Sequence, residues 1–120
     1  MKKVALITTN KILAQSLVAA MREMADSDFE FFILLDSKQA LMDAEIFEID
    51  IALIDLKETH LSFCELLHKK LPDAHLLLLV SQDDHARREI AGQAKKKGIV
   101  DDFVFYDASL KYLFAKLSSF

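Results

Sequence analysis

The chain has 120 residues, 52% of them hydrophobic and 28% charged, and its 15 Lys and Arg against 19 Asp and Glu leave a formal net charge of -4. This composition predicts one globular domain over residues 1–120, excludes a disordered tail and argues against nucleic acid as the main partner. No apolar run approaches the roughly 20 residues that cross a bilayer, and the first residues lack a secretory signal. We therefore expect a cytoplasmic protein without a membrane partner, and the single cysteine, Cys64, excludes an internal disulfide framework.

Five apolar runs of strand length alternate with segments in which apolar residues recur at helical spacing. The runs are Val4 to Ile7, Phe31 to Leu35, Ile51 to Ile54, Leu76 to Val80 and Phe103 to Phe105. None alternates with polar residues, which is typical of strands buried on both faces of a parallel sheet. The pattern predicts an α/β fold, a flavodoxin-like doubly wound sheet of five parallel strands with five helices.

Polar and special residues mark the predicted helix ends. The candidate caps at the helix starts are Asn10, Ser37, Asp83 and Ser109. Pro72 follows the third predicted helix and Gly98 follows the fourth, in agreement with the usual preferences beyond a helix end.

Asp55 is the candidate functional residue that the predicted fold itself singles out. In such sheets the ligand site lies beyond the carboxyl ends of the strands, at the switch point between the first and third. Asp55 directly follows a buried strand, where a carboxylate is costly unless water, a cation or hydrogen-bond donors meet it. Two interpretations stay open: a functional carboxylate, or a strand-end carboxylate that caps the next turn.

Four stretches of the chain carry a resemblance to a known family. They are Lys2 to Ile7, Asp50 to Asp55, Leu76 to Ser81, and Asp101 to Val104 with Ser109-Leu110 beyond. Over essentially its whole length the sequence resembles the receiver domain of bacterial response regulators, the CheY-like module of two-component signalling. The resemblance implies that Asp55 matches the aspartate that a sensor histidine kinase phosphorylates. It also implies that Ser81 matches the hydroxyl residue that turns toward the phosphoryl group, and Phe103 the switch aromatic.

The sequence departs from this family at positions that phosphorylation needs. Thr8 and Thr9 align with the acidic pair that helps to hold Mg²⁺, and Tyr106 aligns with the lysine that follows the fifth strand. One carboxylate and two hydroxyls hold Mg²⁺ less well than three carboxylates, and a phenol carries no positive charge near neutral pH. We therefore expect at best weak Mg²⁺ binding, with Asp55 as the metal ligand, and no motif indicates another cofactor.

The loop after Asp55 also differs from the family, because residues 56–61 lack the usual proline and glycine. One hypothesis is that Lys57 folds back toward Asp55 and supplies the missing positive charge, and a solvated lysine is the alternative. A zinc site on the third helix is disfavoured although His60, Cys64 and His68 recur at four-residue spacing. The outer pair is separated by about 12 Å of helix rise, which zinc bonds of about 2 Å cannot bridge.

The leading hypothesis is a degenerate receiver-like signalling domain, not an enzyme, that acts through protein–protein contacts with weak or no phosphorylation of Asp55. One alternative is a working receiver phosphorylated there by a histidine kinase. Another is a small-ligand or flavin-binding flavodoxin-like domain that uses the hydroxyls of Thr8, Thr9 and Ser81. The expected partners are a sensor histidine kinase or another signalling protein. A homodimer through the fourth helix, fifth strand and fifth helix is a further prediction, because basic and acidic residues neighbour each other there.

Overall fold

The computed structural model describes residues 1–24, 28–57 and 60–120, and within them strands and helices alternate. The strands are β1 (Lys2–Ile7), β2 (Phe29–Leu34), β3 (Ile51–Asp55), β4 (His75–Val80) and β5 (Asp102–Phe105). The helices are α1 (Lys11–Met24), α2 (Ser37–Ile46), α3 (Leu61–Lys70), α4 (His85–Lys96) and α5 (Leu110–Ser118). Within these residues, no helix combines the length and apolarity needed to cross a bilayer.

The strands form one parallel sheet in the order β2-β1-β3-β4-β5. The flavodoxin-like, doubly wound fold predicted from the sequence is therefore confirmed. Ile7 pairs with Ile54 and Asp55 pairs with Leu79, so β1 and β4 flank the carboxyl end of β3. Every residue of β3 is buried, as the unbroken apolar run predicted.

Helices cover both faces of the sheet and enclose a separate apolar cluster on each. The α1–α5 cluster includes Val18, Met21, Leu113 and Leu117 with the strand side chains that face them. The second cluster lies under α2, α3 and α4. In α4 only Ala91 and Ala94 are buried, so this helix rests on the sheet through two methyl side chains.

Two of the predicted caps are confirmed and two are off by one residue. Asn10 Oδ1 accepts from Leu13 N and Ser109 Oγ accepts from Tyr112 N, as expected. The α2 cap is Asp36 rather than Ser37, whose side chain lies outside the described part of the chain, and the α4 cap is Asp84 rather than Asp83. In each neighbouring pair, the residue just before the helix holds the extended backbone that a cap requires.

Two helices end in a residue with a left-handed backbone. Gly98 follows α4 with φ 77°, and the next amide, Ile99 N, donates to Ala94 O. Glu48 follows α2 with φ 56°, and Ile49 N donates to Ala44 O in the same way. This arrangement satisfies carbonyls that the last helical turn leaves open.

Candidate functional site

Four predicted site residues lie at or just beyond the carboxyl ends of neighbouring strands, on one face of the sheet. They are Thr8, Asp55, Ser81 and Tyr106. Each lies two positions beyond a strand residue of the α1–α5 cluster, and side chains alternate along a strand. The topology therefore brings these four residues to one edge and one face of the sheet, as the switch-point rule predicts.

Asp55 is the centre of this site. Its relative exposure is 2% and that of Thr8 is 1%, so both side chains are shielded from solvent. Thr8 Oγ1 donates to Asp55 Oδ2 at 2.7 Å, and the backbone N–H of Lys57 donates to Asp55 Oδ1 at 3.1 Å. Each carboxylate oxygen thus accepts a hydrogen bond from the chain, which offsets the cost of burying the charge.

Thr8 also links the site to α1. Its hydroxyl oxygen accepts from the backbone N–H of Asn10 at 3.0 Å, while its own N–H donates to Leu34 O on β2. Asn10 in turn caps α1. The start of α1 is therefore joined to the Asp55 carboxylate through a single buried hydroxyl.

Lys57 contacts Asp55 through its backbone amide, and its side chain is exposed. The pKa of Asp84 lies below its usual value because the backbone N–H and the guanidinium of Arg87 bond to it, with a weaker contribution from the Lys57 ammonium. Among the described residues, no ion pair joins Lys57 to Asp55. Glu58 and Thr59, which belong to the same loop, lie outside the described residues.

Tyr106 occupies the edge of the site next to β5. Its backbone N–H donates to Val80 O, and its ring packs against the α1–α5 cluster. The phenolic oxygen is buried and finds no hydrogen-bond partner among the residues described. Asp107, which follows it, is exposed.

Phe103 lies on the opposite face of the sheet, toward α4. It is half-buried against the second cluster, and its ring meets that of Phe105 edge to face, with centroids 5.9 Å apart. Ser81 is also half-buried, and its carbonyl accepts from Asp84 N at the turn before α4. Phe103, on β5, and Ser81, in the loop before α4, therefore both lie next to α4.

The donor set at Asp55 does not fit a divalent cation well. Thr8 contributes a hydroxyl already bonded to Asp55, and Thr9 contributes another neutral oxygen at most. In the three described segments, no group of three or more His, Cys, Asp or Glu side chains is placed to hold a metal ion. On α3, Cys64 is buried, and desolvation raises the pKa of its thiol to about 12, so it is a poor thiolate ligand.

A groove of roughly 720 Å³ runs between α4 and β5. Phe103 and Phe105 form its apolar part, and the helix side is polar and mainly basic. The lining residues of α4 are His85, Arg88, Glu89, Gly92, Gln93, Lys95 and Lys96. A Cβ on Gly92 would meet no atom within 4 Å, so this glycine keeps the helix side of the groove open.

Asp102 neutralises part of this basic surface from within the chain. Its carboxylate lies 2.9 Å from Lys95 Nζ on α4 and 2.5 Å from Lys116 Nζ on α5. Asp101 is engaged as well, because its Oδ2 accepts from Leu76 N and its Oδ1 lies 3.4 Å from His75 Nδ1. The sequence predicted that basic and acidic residues neighbour each other in this region. It did not predict which of them form ion pairs, since that depends on the strand register.

Comparison with solved structures identifies the architecture. A response regulator receiver domain protein (CheY-like) from Methanospirillum hungatei superposes with a TM-score of 0.80 at 14% identity, covering 99% of this chain and 92% of that one. This chain has the receiver-domain fold. A LuxR-family DNA-binding response regulator from Staphylococcus aureus gives 0.82 at 16% identity, with 99% and 98% covered.

A third structure is described as having a phosphorylated aspartic acid and a calcium ion. It is a response regulator from Burkholderia pseudomallei, with a TM-score of 0.75 at 22% identity, covering 96% of this chain and 65% of that chain. Neither a protein-family model nor a curated protein sequence matches the chain. The similarity is therefore one of fold, and function has to be argued from the site.

Proposed function

We propose that this chain is a cytoplasmic receiver-type signalling module that works by binding other proteins, with an Asp55 pocket unsuited to efficient phosphoryl transfer. The observation that carries the proposal is the position of Asp55: buried at the carboxyl end of β3, with both oxygens bonded by Thr8 and Lys57. A phosphoryl donor would have to reach a carboxylate that is 2% exposed and that Thr8 and Lys57 already bond. Neutralisation of the transferred group by metal and cation is the main catalytic need, and Tyr106 supplies no charge for it.

The experiment is labelling with acetyl phosphate and Mg²⁺, followed by intact-mass measurement. We expect little labelling of the natural chain, and a gain in a Thr8→Asp/Thr9→Asp/Tyr106→Lys variant, which restores two carboxylates and a cation. Asp55→Asn in each background removes the acceptor and serves as the control. Stoichiometric, Asp55-dependent labelling of the natural chain would instead favour the alternative, a working receiver that accepts a phosphoryl group on Asp55.

The groove between α4 and β5 is the surface we assign to partner binding. Arg88 and Lys96 add positive charge at its edge, Glu89 is the acid among its lining residues, and two phenylalanine rings give it an apolar floor. A partner segment with acidic side chains around an apolar one complements this pattern. The partner would be a histidine kinase or another signalling protein.

A peptide titration tests the groove. The probes are an acetylated Glu-Leu-Leu-Glu peptide and its Gln-Leu-Leu-Gln counterpart, observed through amide and methyl NMR shifts of the protein. We expect the acidic peptide to shift Phe103 and Gly92 and to lose affinity in Gly92→Leu, which fills the groove. Ala19→Leu, on the exposed side of α1, is the matched control. Equal binding of both peptides, or shifts confined to α1 and α2, would contradict the assignment.

The homodimer stays a separate prediction, measured by sedimentation equilibrium. Asp102 satisfies Lys95 and Lys116 within one chain, and this reduces the opposite charge available to a second copy. Binding of flavin or another small ligand near Thr8, Thr9 and Ser81 is the remaining alternative. A bound chromophore or extra mass in native mass spectrometry of the purified protein would support it over the signalling proposal.

A further inference from the structure

We infer that Thr8 is a positioning residue that couples the state of Asp55 to the first turn of α1. The inference deepens the proposed function, on which it rests for the role of Asp55 as the input carboxylate. It concerns a different output element, since α1 lies on the other face of the sheet from α4.

The contacts form one continuous path. A threonine hydroxyl has one hydrogen to donate, and Thr8 directs it to Asp55 Oδ2 at 2.7 Å. A lone pair on the same oxygen accepts from Asn10 N at 3.0 Å. Asn10 then holds α1, because its side-chain oxygen accepts from Leu13 N at 3.1 Å and its carbonyl from Ala14 N at 3.0 Å.

The path responds to charge at Asp55. A hydrogen bond to a carboxylate is worth about twice one to a neutral acceptor, so loss of the charge weakens the hold on the Thr8 hydroxyl. Because Thr8 is 1% exposed, solvent cannot make up for the weakened bond, and the hydroxyl is freer to rotate away from Asp55. Rotation moves the lone pair that Asn10 N uses and loosens the cap of α1.

The first turn of α1 presents this change at the surface. Ile12 in that turn is 79% exposed, and Lys11 beside it is exposed as well. The N-terminal turn of α2 provides an internal comparison, since its cap is the bond from Lys38 N to the Asp36 carboxylate and does not use the Thr8 hydroxyl. A signal carried by Thr8 therefore alters α1 and leaves α2 unchanged.

Amide hydrogen exchange of the intact chain, followed by NMR, tests the inference. We expect the Leu13 and Ala14 amides to exchange about fivefold faster in Thr8→Val and in Asp55→Asn, with the α2 amides unchanged. Thr8→Ser keeps the hydroxyl and should restore the natural rates. The double variant should exchange no faster than the faster single one, because both changes break the same path.

Unchanged α1 rates in Asp55→Asn, or rate effects of the two substitutions that multiply, would overturn the inference. If Thr8→Val fails to fold, the inference is tested with Asp55→Asn alone. The NMR chemical shifts of the Asn10 and Leu13 amides should then change in Asp55→Asn and stay unchanged in Thr8→Ser, the reference variant. No arm of the experiment uses a phosphodonor or a partner peptide. Its failure is therefore distinguishable from failure of the proposed function, which those two probes test.

Discussion

The carboxylate of Asp102 lies 2.5 Å from the ammonium of Lys116, which ties β5 to α5. Lys95 on α4 contacts the other carboxylate oxygen. The largely buried Asp102 therefore joins β5 to both α4 and α5. Partial burial acts to raise the pKa of Asp102, but hydrogen bonds from Lys116, Lys95 and the Phe103 N–H outweigh it and hold the pKa below its usual value. The same pairing raises the pKa of Lys116.

This arrangement predicts a pH-dependent effect of Asp102→Asn. At pH 7 we expect the free energy of unfolding to fall by about 1–2 kcal/mol, since two charge-assisted bonds are lost. A carboxyl group whose pKa is lower in the folded state than in the unfolded state stabilises the fold. This contribution is complete above the unfolded-state pKa of about 3.9, and it is lost as the pH falls through the folded-state pKa. Urea unfolding at pH 7 and pH 3 should therefore show the difference shrinking in acid.

Glu45→Gln is the control for Asp102→Asn. Glu45 pairs with Lys70 at 3.1 Å, but the two side chains are 58% and 40% exposed. Such an exposed pair contributes about 0–1 kcal/mol, so this variant should differ little from the natural chain at either pH. An equal loss in both variants would contradict the special role of Asp102.

The two glycines should respond to alanine with opposite signs. Neither Gly92 nor Gly98 has an atom within 4 Å of the position that a Cβ would take. Packing therefore predicts no difference between the two alanine substitutions. Gly92 lies inside α4, and Gly92→Ala should stabilise by about 0.5–1 kcal/mol through helix propensity. Gly98 has φ 77°, and Gly98→Ala should destabilise by about 1 kcal/mol. Thermal unfolding of both variants checks the pair, and a shared sign would refute the backbone argument.

The phenol of Tyr106 predicts a stabilising substitution. A buried hydroxyl without a partner costs about 1–3 kcal/mol, and phenylalanine keeps the ring that packs against the α1–α5 cluster. Tyr106→Phe should thus raise the midpoint of chemical unfolding. A lower midpoint would mean that the hydroxyl has an acceptor in solution, such as bound water. Tyr112→Phe, at a 51% exposed position, should not raise the midpoint, because its hydroxyl is not buried.

Cys64 should be unreactive in the folded chain. Burial raises the pKa of its thiol to about 12, and its exposure is 0%, so neither thiolate nor access is available at pH 8. We expect iodoacetamide to modify it only in urea, at the rate of global unfolding. Rapid labelling in native buffer, seen by intact mass, would show that α3 opens locally.

The apolar pattern was enough to predict the sheet because its information is local. The unbroken run of β3 indicated burial on both faces, and its end located Asp55 correctly. Helix boundaries were less certain where two capping residues adjoin, as at Asp36-Ser37 and Asp83-Asp84, because either side chain suits the role. Glu48 carried no signal for its left-handed backbone, since glycine is the residue usually found there.

The contacts of the site were harder to predict. The sequence marked Thr8 as a poor metal ligand, whereas the structure places its hydroxyl on Asp55, 47 residues away. That bond depends on the register of β1 against β3, which residue spacing does not encode. The surface of α4, β5 and α5 was predicted as an interface, but its groove was not, because Gly92 matters only once α4 is placed beside Phe103 and Phe105.

The seating of α4 on Ala91 and Ala94 has a mechanical consequence. A buried methyl or methylene group contributes about 0.8 kcal/mol, so these two contacts hold the helix far less firmly than leucines hold α5. A partner with micromolar affinity has about 8 kcal/mol of binding free energy, several times what the two methyl groups supply. A partner that binds a displaced α4 better than the present one could shift this helix by that difference in affinity, once the Lys95–Asp102 ion pair is also broken.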